Sequence, residues 1–271
     1  MREYRLRAHN TATASTNRIH DDTVAREYGF GGGLVPGVDV YAYMTHVPAE
    51  AWGLDWLSRG TMRARFVTPV YDGDEVAVVP GEPVADPAGG ITVGLEVRNA
   101  AGGLCALGEA GLPAEATPAP SPDRWPAAEP ASVPPPASPE VLVPGTALAL
   151  DGHRFVADRA GEYLADVRET LSLYADRRVA HPGWLLRDAN YVLSHNVLLG
   201  PWIHVESVVQ HHSAVADGET VETRATVTRE WEHKGHRFVE LDAGLLTGDG
   251  GVAAQVRHTA IYWPRRSRQI V

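Results

Sequence analysis

With 271 residues, 44% of them hydrophobic, the chain can build a sizeable core without metal or disulfide staples. A formal charge of −10 excludes the broad field of Lys and Arg that a nucleic acid or an anionic membrane surface requires. The sole cysteine, Cys105, cannot form an internal disulfide, and its Gly-Leu-Cys-Ala-Leu-Gly setting reads as a small buried hydrophobe, not a nucleophile. Apolar runs are broken by Asp, Arg or His well short of the roughly 20 residues of a membrane span, and the Met1-Arg-Glu-Tyr-Arg start has no apolar secretory core, so a cytoplasmic protein is expected. Arg59, Arg63 and Arg65, or Arg265, Arg266 and Arg268, could hold a small anion; their plainer reading is a solvated strand face and a basic tail.

In chain order, the first clear element is a short helix that starts at Asp21-Asp22-Thr23, where two acids suit the positive end of the helix dipole, and stops at Gly29. Pro36-Gly37 then opens an apolar segment, 38–47, whose apolar residues spread over more than one face, as expected of a helix wrapped by a sheet. Strand-like runs follow at 61–67, 75–79, 91–97 and 104–110, punctuated by Asp-Gly and Gly-Gly turns. Eleven of the twenty prolines lie between Pro113 and Pro144, and 113–139 reads as a Pro/Ala-rich linker too poor in apolar residues to bury much. Beyond it come an amphipathic piece at 158–169, a second helix after Pro182-Gly183 over 184–199, strands at 203–209, 220–227, 237–245 and 252–262, and a basic tail at 266–271.

The landmarks on the two sides of the linker recur in the same order. Pro36-Gly37 is answered by Pro182-Gly183, Asp72-Gly73-Asp74-Glu75-Val76 by Asp217-Gly218-Glu219-Thr220-Val221, and Gly102-Gly103 by Gly250-Gly251, all at offsets of 145 to 148 residues. Three matches in register mark an internal duplication. Residues 1–112 and 140–265 are therefore expected to be two copies of one α+β unit, related by a pseudo-twofold axis, with their sheets joined edge to edge so that neither leaves that edge exposed.

Asn17-Arg18-Ile19-His20, the acidic helix start and Gly32-Gly33-Leu34-Val35-Pro36-Gly37 together resemble the MaoC-like dehydratases and (R)-specific enoyl-CoA hydratases. The resemblance covers nearly everything outside the linker. It implies a double hotdog: two antiparallel sheets, each curled around a long central helix. The hydratase motif of that family reads Asp-x-Asn-Pro-aliphatic-His; Asn17, Ile19 and His20 fit it, while Ser15 stands at the Asp, Arg18 at the Pro, and the small residue of the following helix, Ala25, comes one position early. By the same resemblance His20 and Asn17 are the catalytic pair, Ser15 and Asp21 belong to the catalytic neighbourhood, and Gly33, Leu34, Val35, Gly37 and Tyr41 bind substrate. In the second half, Val179-Ala180-His181-Pro182-Gly183 resembles the approach to the central helix with no Asn-x-x-His upstream, which suggests a substrate-binding or scaffolding partner.

Adding water to a 2-enoyl thioester needs a base for the water, an acid at C2 and donors for the enolate oxygen. His20 can move a proton near neutral pH, and Asn17 can orient it or the water. A backbone N–H near Gly37, with the helix dipole behind it, can serve as the donor. A serine at position 15 cannot act as the carboxylate base; Asp21 or Asp22 could stand in, although both sit where a helix start wants acids. The leading expectation is a hydratase or dehydratase, a lyase acting on an acyl thioester of coenzyme A or an acyl carrier protein. The alternatives are an inactive thioester-binding or scaffold protein and a hotdog thioesterase that uses Asp39 or Asp188. No cofactor is called for. His211, His212, His233 and His236 could come together on neighbouring strands as a metal site, but no carboxylate stands at ligand spacing. Gly31-Gly32-Gly33 lacks the Lys-Ser or Lys-Thr of a phosphate loop, and no Gly-x-Ser-x-Gly elbow occurs. A homodimer of the double unit is compatible with the sequence.

Overall fold

The computed structural model describes residues 1–266; of the expected basic tail, Arg266 is described, while Arg268 and the rest of 267–271 lie outside the described residues. The first half runs β1 (Tyr4–Arg7), a 3₁₀ turn (Arg18–His20), α1 (Asp22–Glu27), α2 (Gly37–Arg59), β2 (Thr61–Phe66), β3 (Glu75–Pro80), the two-residue β4 (Val84–Ala85), β5 (Ile91–Asn99) and β6 (Leu104–Leu112). The second half repeats the plan with β7 (Ala147–Arg154), α3 (Ala160–Asp166), α4 (Leu173–Arg177), α5 (Pro182–Ser194), β8 (Ile203–His211), β9 (Thr220–His233), β10 (His236–Thr247) and β11 (Val252–Trp263).

All strands join one 11-stranded sheet in the order β1-β3-β5-β6-β2-β8-β11-β10-β9-β7, with β4 beside β5. The order reads the same outward from the β2–β8 junction in both directions, as a pseudo-twofold axis through that junction requires. Every pairing is antiparallel, and the junction runs in register from Thr61↔Gln210 to Arg65↔Glu206. On β2, Met62 and Ala64 point into the core while Arg63 and Arg65 face out, and Arg63 closes the seam with an ion pair to Glu206 at 2.8 Å. The fold is the expected α+β double hotdog.

The two central helices pack against each other inside the curl of the sheet. In α2 every residue from Val38 to Ala49 is buried, which accounts for an apolar pattern with no polar face. This helix runs past the expected limit at 47. Pro48 reads as a breaker, yet the chain carries through it and kinks instead at Gly53, whose φ of 56° suits glycine. Trp56 and Leu57, buried beyond the kink, hold the last turns against the core. By contrast α5 ends at Ser194, short of 199. Among the described residues no helix is long and apolar enough to cross a membrane.

The proline-rich segment differs from its expectation. It is an ordered strap: Trp125 is fully buried with Leu246 and Val252 and lies against Gly244, where any side chain would collide with the indole. Arg124 pairs with Asp242 at 2.8 Å, and Pro135–Ala137 bridges to Leu198 through two backbone hydrogen bonds. Average composition hid one large anchor.

Candidate active site

Asn17 caps the 3₁₀ turn that ends at His20, its Oδ1 accepting the Ile19 N–H at 3.3 Å. The same oxygen accepts the Trp202 N–H at 3.1 Å, and Nδ2 donates to the Trp202 carbonyl at 3.0 Å. The first-half motif is thus pinned to the backbone of the second half. The remaining Nδ2 hydrogen points at His20 Nε2, 3.3 Å away. On the other side of the ring His20 Nδ1 lies 2.6 Å from the Leu34 carbonyl, which can only accept. These two contacts fix one tautomer: Nδ1 carries the proton, and Nε2 keeps its lone pair. Burial lowers the pKa of His20, opposed by the Leu34 bond and by the negative charge of Asp39, so the ring is neutral near pH 7.

His20 stands between two cavities. One, of about 250 Å³, is mainly apolar, walled by Phe30, Leu34, Val40, Phe66, Val70 and Ile261. The other, of about 370 Å³, is the more polar of the two, and includes Thr11, Ser15, Asp39 and Arg187. Asn17, His20, Pro36, Asn190 and Trp202 line both, so the imidazole is at their boundary. At the same boundary lies the start of α2. The Pro36 carbonyl takes the Asp39 and Val40 N–H groups at 2.9 and 3.1 Å, while the Gly37 N–H has no hydrogen-bond partner among the described residues.

The other expected residues divide. Leu34, Val35 and Gly37 line the apolar cavity. Gly33 lies behind it: a side chain there would strike the His20 carbonyl, and its N–H donates to Asp22 Oδ1 at 2.7 Å. Tyr41 lines neither cavity; its ring is wholly buried in the core between the halves. Ser15 faces the polar cavity, with Oγ accepting the Asn17 N–H at 3.1 Å. Asp21 is not beside His20's basic nitrogen. It caps α1, accepting from Thr23 and Val24, and these bonds hold its carboxyl below the ordinary range.

Of the two helix carboxylates, Asp39 is buried at the polar cavity, where it meets Arg187 at 2.9 Å and Thr11 Oγ1 at 2.6 Å. Asp188 lines neither cavity; burial pushes its carboxyl up to about 8. At the second half's own helix approach His181 caps α5 by accepting the Gly183 N–H at 3.0 Å, and it shares Glu169 with His46. That corner is closed by its own partners. Arg59 is turned to the strap, donating to the Pro113 and Ala114 carbonyls. Among the described residues no three His, Cys, Asp or Glu side chains come close enough to hold a metal ion.

Three contributors went unseen in the sequence. Trp202 acts through its backbone, which no side-chain pattern reveals. Asn190, on α5, lines both cavities with a buried Oδ1 that has no partner. His204 on β8 lines the apolar cavity and is bonded to Ser207. Its signal is a histidine at an inward strand position, but a β-bulge shifts the register between Glu206 and His204, so strict alternation misplaces it.

Fold and site together define a double hotdog protein with a histidine-bearing pocket between its halves. No family model and no curated protein sequence matches the chain. Solved structures do match it in fold. A protein of Chloroflexus aurantiacus described as a MaoC domain dehydratase superposes with a TM-score of 0.64 at 13% identity, over 97% of this chain and 94% of that one. A conserved hypothetical protein of Mycobacterium tuberculosis, described as having a double hotdog fold, gives 0.59 at 13% identity over 96% of each chain. A protein of Thermobifida fusca described as a thioesterase II gives 0.51 at 14% identity, over 99% of this chain and 93% of that one. Fold neighbours thus include both MaoC-like dehydratases and thioesterases.

Proposed function

We propose that the protein is a lyase of the hydratase or dehydratase type acting on an acyl thioester, a 2-enoyl or 3-hydroxyacyl group carried on coenzyme A or an acyl carrier protein. The observation that carries this reading is His20, neutral and with its Nε2 lone pair at the junction of an apolar and a polar cavity, beside the start of α2. The apolar cavity suits the acyl chain, and water reaches C3 from the polar side. His20 Nε2 takes a proton from the water as its oxygen bonds C3; the C2=C3 pair moves to C1–C2 and the carbonyl pair moves onto the thioester oxygen. The Gly37 N–H and the helix dipole steady that charge. C2 then recovers the proton from Nε2 as the enolate collapses. One imidazole serves as base and then acid, and the nearby Asp39 charge favours the transient imidazolium. Asn190 Oδ1, buried without a partner, suits the attacking water.

A thioesterase reading draws on the Thermobifida fusca neighbour and on Asp39 at the polar cavity. The carboxylate's pairing with Arg187 and Thr11 weighs against it as a free base. Incubation with crotonyl-CoA, 3-hydroxybutyryl-CoA and butyryl-CoA, following enoyl absorbance and free thiol together, tests the reading. Loss of enoyl absorbance without thiol release supports the lyase. Thiol release establishes the hydrolase. If neither occurs and acyl-CoA still raises the melting temperature, the protein is a thioester-binding or scaffold protein.

A further inference from the structure

The more polar cavity beside His20 contains one guanidinium, and most of its donors are unspent. Arg187, on α5, bonds through Nη2 alone, to Asp39 Oδ1 at 2.9 Å and to Thr11 Oγ1 at 3.4 Å. An arginine has five N–H donors. Its Nε hydrogen and both Nη1 hydrogens have no partner among the described residues, and neither nitrogen is sealed away from solvent. The side chain is 20% exposed and lines the polar cavity, so these donors open onto it. Two contacts hold the guanidinium in place. Its Cζ stands 4.5 Å from the centre of the Tyr163 ring, and Asp39, fully buried and accepting from Thr11 Oγ1 at 2.6 Å, anchors the Nη2 end.

The charge around the cavity narrows what those donors can take. Histidines aside, the charged side chains that line it are Asp39, Asp166 and Arg187. Two carboxylates outnumber one guanidinium, so an anion gains little there. A neutral carbonyl oxygen accepts from a cationic N–H without bringing charge of its own, and such a bond is among the stronger ones. An acyl thioester has such an oxygen in a defined place. On coenzyme A and on an acyl carrier protein alike, the sulfur is followed by two methylenes and an amide. The acyl side of the molecule is apolar and the carrier side is polar, and the two cavities that meet at His20 differ in the same sense: Phe30, Phe66 and Val70 wall one, while Thr11, Ser15 and Arg187 line the other.

We infer that the substrate lies across the boundary with its carrier arm in the polar cavity, where an unspent Arg187 N–H donates to the first amide carbonyl beyond the sulfur. The inference rests on the acyl-thioester reading above. It gives the second half a contact with substrate and gives the ion pair between the two central helices a purpose: Asp39 aims the guanidinium. His20 and Asn190, at the boundary itself, stay free for the water. Because both carriers have the same amide, the contact selects the arm and not the carrier.

The test uses the full chain and three small crotonyl thioesters that carry no phosphate. The N-acetylcysteamine thioester has the amide, the S-2-acetoxyethyl thioester keeps the carbonyl but loses the N–H, and the S-pentyl thioester has neither. Hydration is followed as loss of enoyl absorbance. Arg187→Lys leaves a cation for Asp39 but gathers its donors on one nitrogen, which the carboxylate holds. In this variant the kcat/KM preference for the amide over the pentyl thioester should fall by about 10–100-fold, the worth of a hydrogen bond from a charged donor. The preference for the acetoxyethyl thioester should fall with it. An arginine with only a structural part would lower all three rates alike. Should Arg187→Lys not fold, Arg187→Met combined with Asp39→Asn removes the donor and the buried charge together, and the same ratios are read. If the preferences do not change, or if only crotonyl-CoA responds because the arginine meets a phosphate, the inference falls while the thioester reading stands. If wild type neither hydrates nor binds any crotonyl thioester, crotonyl-CoA included, the thioester reading falls and takes the inference with it.

Discussion

Asn17 and Trp202, 185 residues apart, exchange two hydrogen bonds of 3.1 and 3.0 Å, so that the side chain in one half is clamped by the backbone of the other. The clamp leaves Asn17 one hydrogen to offer His20, and thereby couples the docking of the two halves to the tautomer of the base. Asn17→Ala leaves a buried N–H and carbonyl of Trp202 unpaired, at a cost of about 1–3 kcal/mol each. Urea unfolding should show that loss, and crotonyl-CoA turnover should fall. Unchanged stability would mean the clamp contributes nothing.

His20→Ala removes the proposed proton carrier while its backbone contacts remain. Turnover should fall by about 10²–10⁴-fold, with the melting temperature little changed. Ser15→Ala should matter little to turnover, because Ser15 Oγ accepts only the Asn17 backbone N–H and makes no hydrogen bond to His20. Ser15→Asp returns a carboxylate five residues before the histidine and should raise turnover. If His20→Ala leaves turnover intact while Asp39→Asn abolishes it, the proton is handled elsewhere.

Much of the architecture was legible because duplication is a statement about spacing. Three turn landmarks at a near-constant offset sufficed to expect two units, and the antiparallel meanders followed from alternating runs between Gly-rich turns. The edge strands β1 and β7 escaped because β1 has only four residues and β7 precedes no comparable landmark. Around the site, Asn17, His20, Leu34 and Gly37 lie within one stretch of chain and could be read as a local pattern. Trp202, Asn190 and His204 come from the other half and meet that stretch only after the two central helices dock. Tyr41 is the opposite case: the resemblance implied a place at the pocket, but its direction on α2 carries the ring into the core.

Trp125 tests whether the strap is a spacer or a structural element. Its indole is fully buried against Gly244, Leu246 and Val252. Trp125→Ala should cost about 3–5 kcal/mol, as expected for emptying a buried aromatic site. Deleting residues of the exposed stretch 114–119 should cost far less. Equal melting temperatures for wild type and Trp125→Ala would return the strap to a passive linker.

Stability should depend on pH from both sides. Burial lowers the pKa of His204 far below 6.5, of His211 to about 4 and of His258 to about 3. In the unfolded chain each binds a proton near 6.5; in the folded chain it does not. Their contribution is therefore fully present above about pH 6.5 and is lost as pH falls toward 4, by at most ~1.4 kcal/mol per pH unit for each histidine. Glu169, held down at about 2 by His181 and His46 against the cost of its own burial, extends the loss below pH 4.5. Asp188 acts in the opposite sense. Its folded pKa is raised to about 8 from 3.8, so its contribution is complete at low pH and is lost as pH rises through 8. Between pH 4 and 6.5 three histidines outweigh one carboxyl, and the melting temperature should fall with acid. Between pH 6.5 and 8.5 Asp188 alone of these groups titrates, and the melting temperature should drift down. Asp188→Asn keeps the shape and the Thr223 neighbour but cannot ionise, so it should flatten the alkaline side and leave the acid limb unchanged. Melting curves of both proteins from pH 3.5 to 8.5 would show it; an acid limb missing from wild type would mean the buried imidazoles take up protons without opening the fold.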